Sequence, residues 1–238
     1  MLDSEMADLM FSADVKPPLH WEGHYAQRAL PPGAWVTRFA PSPTGYLHMG
    51  GLYAATIAQD LAHNSGGVFF IRIENTDAAR ELADAREQFG KAFAYFSISP
   101  DEGADGAWAP YEQGMRAPIY ESYARYLIER NMAYPCFHTH TELEELAARQ
   151  NAEKATPGYY GKWATCRHLD RAEVLRRLRA GMPYTVRFRV PDDQPERMTY
   201  NDMIRGPLEQ LDNRNDAVIL KNSASPPRLP TYHFAHAV

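Results

Sequence analysis

The sequence lacks most of what would mark a secreted or membrane-bound chain. It has only two cysteines, too few for a small disulfide-stapled domain. No uncharged apolar run approaches the roughly 20 residues a bilayer-spanning helix needs, so no membrane is expected. Its first residues, Met1-Leu2-Asp3-Ser4-Glu5, are acidic and lack a basic segment ahead of an apolar one. No secretory leader is therefore expected, and a cytoplasmic setting is. Positive charge is not in excess: 25 Lys and Arg face 30 Asp and Glu, a formal net charge of −5. That excludes a chain dominated by one large basic surface and leaves room for a local basic patch. No internal repeat or low-complexity tract is visible, which excludes solenoids and arrays. What remains is globular material. A chain of 238 residues that is 45% hydrophobic can bury a core as one large domain or two small ones.

The breakers divide the chain. Residues 1–34 hold a short helical pattern (Met6, Leu9, Met10), then Pro17-Pro18 and Pro31-Pro32-Gly33, and read as an appended arm. Val36 to Ala40 reads as a strand and Pro41 to Gly51 as a Pro/Gly-rich loop. Leu52, Ala55, Ile57 and Leu61 follow at near-helical spacing. Gly66-Gly67 stops that helix, and Val68 to Ile73 is a second strand with a nearly continuous apolar run. Strand, loop, helix, strand within this length is a βαβ unit, so the two strands are expected parallel and buried. Helices are expected at Leu82 to Tyr95 and Arg116 to Asn131.

From Tyr134 the character shifts. A strand is expected at Tyr134 to Phe137, a polar helix at Thr141 to Glu153, a Gly/Tyr-rich loop at Thr156 to Trp163 and a basic helix at Arg171 to Ala180. Further strands are expected at Tyr184 to Val190, Met198 to Asp202, Ala217 to Leu220 and Thr231 to Val238. The fold class is α/β. The expected division is 1–34, 35–133, 134–215 and 216–238.

Charge is unevenly placed. Lys162, Arg167, Arg171, Arg176, Arg177, Arg179, Arg187 and Arg189 fall in one stretch opposed locally by only Asp170 and Glu173. Such a run is either a phosphate-contact surface or a solvated helix face.

The loop from Thr37 to Gly51 carries the chemistry. It follows a strand and opens a helix, and a helix N-terminus with free amides favours phosphate. His48 stands just before the helix, where it can donate to a phosphate oxygen. Gly50 and Gly51 have no Cβ, so a nucleotide can approach the backbone.

Taken whole, Arg38-Phe39-Ala40-Pro41-Ser42-Pro43-Thr44-Gly45-Tyr46-Leu47-His48-Met49-Gly50-Gly51 resembles the first signature of class I aminoacyl-tRNA synthetases, in the form of their glutamyl branch. Arg72-Ile73-Glu74-Asn75-Thr76-Asp77, Asp202-Met203-Ile204-Arg205-Gly206 and Pro230-Thr231-Tyr232-His233-Phe234-Ala235 resemble three further segments of that family, in family order. Asn75 stands where the family has Asp. The resemblance implies a Rossmann-like parallel sheet interrupted by an acceptor-binding α/β insertion. It implies ATP-dependent activation of L-glutamate and its attachment to tRNA, with Mg²⁺ on the phosphates and a monomeric protein. It assigns Pro41, Ser42, Thr44, His48, Gly50 and Gly51 to ATP, and His48, Gly50 and Gly51 to catalysis. It assigns Arg38, Ala40, Ser42, Glu74, Tyr232 and His236 to glutamate. Tyr232 and His236, four apart on an expected strand, would share a face. In the family the rest of the sheet and a Lys-Met-Ser-Lys-Ser loop follow the position of Val238, so residues 1–238 alone are expected not to aminoacylate tRNA. Two rival readings share these motifs: the paralogue that glutamylates a queuosine base in tRNA, and a non-catalytic fragment that binds tRNA or nucleotide.

Cys136-x-His138 and Cys166-x-His168 supply two pairs of ligand types that can complete a tetrahedral Zn²⁺ site. His140 and Tyr160 are substitutes for one of them. Free buried thiols and a disulfide are the competing readings. Some bacterial members of the family resemble the zinc arrangement, with paired Cys or His near these places.

Overall fold

The alternation of apolar strand, glycine-rich loop and helix at Val36 to Ile71 folds as its pattern dictates. In the computed structural model, which describes residues 3–75, 81–103, 106–193, 197–202, 204–211, 214–224 and 228–238, the elements run as follows. Helices α1 (Ser4–Met10) and α2 (Pro18–His24) precede strand β1 (Val36–Phe39), helix α3 (Met49–Asn64) and strand β2 (Val68–Ile71). Helices α4 (Ala85–Tyr95) and α5 (Ala117–Glu129) lead to strand β3 (Ala133–Cys136), helices α6 (His140–Ala152) and α7 (Arg171–Arg179) and strand β4 (Thr185–Phe188). Strands β5 (Arg197–Asp202), β6 (Gly206–Leu211) and β7 (Val218–Leu220) precede helix α8 (Tyr232–Ala237). Two units form: Pro18–Ile119, and Met1–Pro17 with Tyr120–Val238.

In the first unit β1 and β2 pair in parallel, Val36 opposite Val68 through Phe39 opposite Ile71. Side chains alternate across a strand. Phe39, Phe69, Ile71 and Ile73 pack into one core with Leu52, Ala55 and Ala62 of α3 and Phe89 and Phe93 of α4. Arg38, Phe70, Arg72 and Glu74 therefore share the opposite face. Gly67 permits the close return of the chain: a Cβ there would lie 1.9 Å from the Trp35 carbonyl oxygen. Residues of the expected N-terminal arm belong to this unit. Arg28 donates to both oxygens of Glu102 at 2.8 and 2.5 Å, and its guanidinium sits 4.2 Å from the Trp108 ring. Trp108 Nε1 donates to the Ala26 carbonyl at 2.8 Å.

The second unit takes the rest of the arm. Asp3 caps α1 by accepting from the Met6 amide at 3.1 Å, and Met10 and Phe11 join a core with Tyr120, Ile128, Val186 and Leu220. Residues 1–34 are thus divided between the units rather than forming one appended arm. Strands β3, β4 and β7 form an antiparallel sheet with β4 in the centre. Pro135 is tolerated because β3 is an edge strand. Ala217 to Leu220 reads from sequence as the start of a second parallel half; β7 instead pairs antiparallel with β4. Among the described residues the parallel pairing of named strands is confined to β1 and β2. Strands β5 and β6 make a separate hairpin in six-pair register. The sequence reading missed β6, whose Gly206-Pro207 start looks like a turn.

Thr231 to Val238 is a helix, not the expected strand. Extended pairing ends at Pro230, which bridges Leu220, and the Thr231 amide bonds the Ile219 carbonyl at 3.0 Å. Beyond it Phe234 and Ala235 are buried and Val238 packs on the same core, the spacing of a helix face. No helix among the described residues is long and apolar enough to cross a membrane.

Asp216, fully buried, binds this unit together. Its carboxylate accepts from the Tyr134 hydroxyl at 2.6 Å, Arg167 Nη1 at 2.9 and 3.0 Å and the Val190 amide at 2.9 Å. Its own amide donates to the Tyr159 carbonyl at 2.8 Å, and its carbonyl accepts from Arg187 Nη1 at 2.8 Å. Burial, then the bond to Asp216, raises the Tyr134 pKa well above the ordinary phenol range. Removing one partner of a buried ion pair leaves the other charge uncompensated, which costs roughly 3–5 kcal/mol, whereas an exposed pair is worth under about 1 kcal/mol. Arg167 also bonds Asp192, which is 93% exposed, at 2.6 Å. Urea unfolding should therefore show a loss of about 3–5 kcal/mol for Asp216→Ala and under about 1 kcal/mol for Asp192→Ala. Equal losses would show that Asp216 is not the hub.

Candidate functional site

The loop after β1 is pinned by backbone bonds to the chain leaving β2. The amides of Arg72, Glu74 and Leu82 donate to the carbonyls of Phe39, Pro41 and Pro43 at 3.1, 2.9 and 2.8 Å. The Ser42 hydroxyl donates to the Glu74 carbonyl at 3.2 Å. Fixed in this way, the loop encloses a cavity of about 240 Å³ whose wall includes Pro41, Ser42, Thr44, Tyr46, His48 and Gly51. Five of the six residues read as ATP contacts line it.

The sixth, Gly50, acts through His48. His48 is the N-cap of α3, and its Nδ1 accepts from the Gly50 amide at 3.1 Å. A nitrogen that accepts carries no proton, so the ring proton is on Nε2, on an exposed side chain. The ring is thereby oriented as a donor at a helix N-terminus. A Cβ at Gly50 would lie 3.0 and 3.1 Å from ring atoms of His48. Alanine there would require the imidazole to give by a few tenths of an ångström.

The face of β1 and β2 opposite the helical core carries Arg38, Arg72 and Glu74, at the carboxyl end of the parallel strands where ligands of such sheets bind. Arg72 is buried, and its Nη2 lies 3.6 Å from Glu74 Oε1. Sequence reading chose Arg38 and Glu74 here and passed over Arg72, although alternation places it between them. Ala40 continues the β1 side. Thr76 and Asp77 lie outside the described residues. Tyr232 and His236 lie on α8, one helical turn apart, with their rings 4.1 Å from each other; on a strand they would share a face about 13 Å apart.

Asn75 uses both halves of its amide. Nδ2 donates to Glu112 at 2.9 Å, and Oδ1 accepts from the Gly114 amide at 2.8 Å. Aspartate could keep only the second bond.

In the other unit three of the four expected metal ligands converge. The ligand atoms of Cys136, His138 and Cys166 lie within 4.8 Å of one another, with both sulfurs 3.9 Å from His138 Nδ1. Cys136 and His138 are two apart at the end of an extended strand, hence on one side. The capping box of α6, Thr139 with Glu142, fixes the chain just past His138. The cysteines are free rather than disulfide-linked. The hydrogen bond from the Cys166 thiol lowers Cys136 below the usual thiol range, Arg187 adding to this, and raises Cys166 above it.

His168 is not part of the cluster. It is exposed, at the end of a 3₁₀ turn, Thr165–His168. With three residues per turn, two residues apart point in different directions. The two substitutes considered from sequence are also engaged elsewhere. His140 is 89% exposed and lies 3.4 Å from Glu144, and Tyr160 donates to the Thr156 carbonyl at 2.7 Å. The buried hydroxyl of Tyr159 stands at the cluster instead, 3.0 Å from His138 Nδ1, and accepts from the Cys166 amide at 2.9 Å. Sequence reading named Tyr160, whereas the neighbouring Tyr159 is the tyrosine beside the cluster. Gln150 clamps Gly158 at 2.7 and 3.0 Å, and Asn215 accepts from the Tyr159 amide at 2.7 Å, turning Tyr159 inward.

The basic stretch is largely neutralised. Lys162 pairs with Glu153, Arg171 with Asp3 and Glu5, Arg176 and Arg177 with Glu173, and Arg179 with Glu5. Most of these acids come from distant segments, which the local count of opposing charges could not register.

The Asn75 geometry sets a pH-dependent expectation. Asn75→Asp would place two carboxylates about 3 Å apart, raising the folded-state pKa of one above its unfolded value. Stability is then intact below that unfolded pKa and lost as pH rises. Thermal unfolding should show a deficit of roughly 1–3 kcal/mol at neutral pH that shrinks below about pH 4.5. A deficit independent of pH would refute the Glu112 contact.

Comparison with known proteins bears on both sites. Residues 34–238 match the family of class I tRNA synthetases (E and Q), catalytic domain. A glutamate–tRNA ligase of Clostridium perfringens is 43% identical over 98% of this chain, and one of Acetivibrio thermocellus is 42% identical over 98%. The chain spans 43% of the length of each. A crystal structure of a glutamate tRNA ligase from Elizabethkingia meningosepticum, in complex with its amino acid, superposes with a TM-score of 0.76 at 35% identity, covering 84% of this chain and 40% of that one. With a family match over residues 34–238 and the signature loop in place on a parallel βαβ unit, the chain belongs to the class I tRNA synthetases of the glutamyl and glutaminyl type.

Proposed function

We propose that this chain carries the ATP- and glutamate-binding part of a glutamate–tRNA ligase. The observation that carries the reading is His48. Its Nδ1 is held by the Gly50 amide, so Nε2 presents a proton beside the cavity of the signature loop. Activation joins the glutamate carboxylate to the α-phosphate of ATP and expels pyrophosphate. Catalysis of such a transfer rests on positioning and on stabilising charge that builds on phosphate oxygens. His48 donates to those oxygens. The first turn of α3 adds free amides and a positive dipole end. Ser42 and Thr44 hold the nucleotide side of the loop, and Gly51 keeps that wall low.

Glutamate lies against the β1–β2 face in this reading. Arg38 pairs with the side-chain carboxylate through its planar fork. Glu74 takes the ammonium, with Arg72 fixing the Glu74 carboxylate. Ala40 and Ser42 border the substrate, and Tyr232 and His236 are assigned to it on their motif. No carboxylate lines the loop cavity among the described residues, so Mg²⁺ fits as a passenger on the ATP phosphates, whose charge it neutralises. The acceptor arm of tRNA is the second substrate.

The Cys136, His138 and Cys166 atoms fit Zn²⁺. Ideal bonds of about 2.3 Å to sulfur and 2.0 Å to nitrogen imply sulfur–nitrogen separations of roughly 3.5 Å in a tetrahedron, close to the 3.9 Å found. The Tyr159 hydroxyl, 3.0 Å from His138 Nδ1, borders the three donors and is the candidate for a fourth. The metal would hold the loop after β3 to the 3₁₀ turn at Cys166, a structural role.

Two measurements test this. ATP–pyrophosphate exchange with glutamate, with and without tRNA, reads activation; titration of the chain with ATP reads the half-site even where turnover is absent. His48→Ala is expected to lower exchange by about 10²–10³-fold while costing only the roughly 0.5–2 kcal/mol of a lost helix cap. Unchanged exchange and unchanged ATP affinity in that variant would remove His48 from the site. Metal analysis should give one zinc per chain, abolished by Cys136→Ser and retained in His168→Ala. No metal in the purified protein, with both thiols freely titratable, would overturn the zinc assignment.

A further inference from the structure

Two cations of the basic stretch, Arg187 and Arg189, form no ion pair among the described residues, and of these Arg189 borders a cavity with apolar walls. Arg167 is matched to Asp216 and Asp192, Arg171 to Asp3 and Glu5, and Arg187 to the Asp216 carbonyl. Arg189 meets no carboxylate among the described residues. Its Nη1 reaches only the Arg167 carbonyl, at 3.3 Å, its Nε is buried without an acceptor, and the Tyr134 ring lies 4.8 Å away. Burial, then the like charge of Arg167, presses its pKa below the ordinary arginine range, yet a guanidinium stays charged. Asp216 and Asp192 attract it at longer range, but this half-buried guanidinium has no direct ion pair among the described residues.

Beside Arg189 lies a cavity of about 410 Å³, bounded by α1, the start of β3 and α7. Its walls include Met6, Ile128, Ala133, Leu169 and Val174, all apolar. Arg167 and Arg171 also line it, but each is already neutralised within the fold. Asp3, which pairs with Arg171, and Asn131 and Tyr134 line it as well, so the site offers one guanidinium without an ion pair among the described residues, on a hollow of ligand size with an apolar and a polar side.

We propose that this cavity binds a small organic monocarboxylate, its carboxylate on Arg189 and its apolar body against Met6, Leu169 and Val174. An inorganic dianion would find one guanidinium without an ion pair, would meet the Asp3 carboxylate and would leave the apolar side of the wall uncovered. Glutamate would bring an ammonium group beside Arg189, so the site is distinct in chemistry from the one proposed above and does not rest on it.

Titration of the ¹⁵N-labelled chain with benzoate, benzyl alcohol, inorganic phosphate and glutamate tests the proposal. Benzoate should saturate, with shifts centred on residues 131–135, 167–171 and 189. Benzyl alcohol, phosphate and glutamate should each bind at least about tenfold more weakly. Arg189→Met, which keeps the apolar stem, should weaken benzoate at least about tenfold and leave benzyl alcohol unchanged. Val174→Trp, filling the cavity without touching the charge, should abolish both. Three outcomes would overturn the site: no saturation by about 20 mM benzoate, equal affinity for benzoate and benzyl alcohol, or shifts centred elsewhere. The ligand comparison on the unaltered chain decides the matter even where a variant fails to fold.

Discussion

One buried carboxylate organises the larger unit. Asp216 has no contact with water and accepts from a phenol, a guanidinium and a backbone amide. Each partner belongs to a different segment: Tyr134 to β3, Arg167 to the turn bearing Cys166, Val190 to the end of β4. The chain around Asp216 also ties the Tyr159 loop through backbone bonds. The donors at the Cys/His cluster thus stand next to residues this carboxylate holds: Cys166 precedes Arg167, and Tyr159 bonds the Asp216 amide. The same economy of charge explains Arg189. Asp216 gives its direct bonds to Arg167, so among the described residues the second guanidinium forms no ion pair and feels Asp216 only at longer range.

The smaller unit depends on a parity. Alternation along β1 and β2 sends Phe39, Phe69 and Ile71 to the helical core and Arg38, Arg72 and Glu74 to the other side. A one-residue slip would exchange the sets and bury three charges. Apolar burial beneath α3 and α4 therefore fixes the register that aligns the polar residues. The signature loop then needs little strain to hold its shape. Backbone bonds to the chain leaving β2 set its path, and a histidine accepting from the amide two residues ahead sets its own tautomer. Orientation of the imidazole here is a by-product of helix capping.

What could be read from the sequence follows range. The βαβ unit, the loop and the Cys136-x-His138 pair are local: strand period, breakers and a two-residue spacing determine them. His168 failed because the same spacing has a different meaning on a 3₁₀ turn than on a strand, and no local signal distinguished the two. Tyr232 and His236 were placed on a strand; Phe234, Ala235 and Val238 instead follow a helical burial pattern that a seven-residue window at the chain's end leaves ambiguous. Tyr159 was passed over for Tyr160 because the residues that turn it inward, Gln150 and Asn215, are eight or more positions away. The arm was read as one piece, since nothing in Pro17-Pro18 says that the residues on either side fold into different units.

The basic stretch shows most clearly why charge counts along a chain mislead. Locally it faces two acids; in the fold Asp3, Glu5, Glu153, Asp192 and Asp216 join them. Affinity for a polyanion comes from cations whose counterions are mobile and gain entropy on release. Asp3 and Glu5 are not mobile: they are fixed to α1, and their bonds to Arg171 and Arg179 hold α1 on α7. A phosphate approaching Arg171 must either displace these carboxylates, loosening α1, or accept a cation already half neutralised. The α7 face is thus a poor general polyanion surface in spite of its composition, and the contribution of that helix to stability and to any RNA contact draws on the same arginines. Evolution of tighter phosphate binding at α7 would have to begin at Glu5, which bridges both Arg171 and Arg179, rather than by adding further basic residues to a helix that already has enough of them.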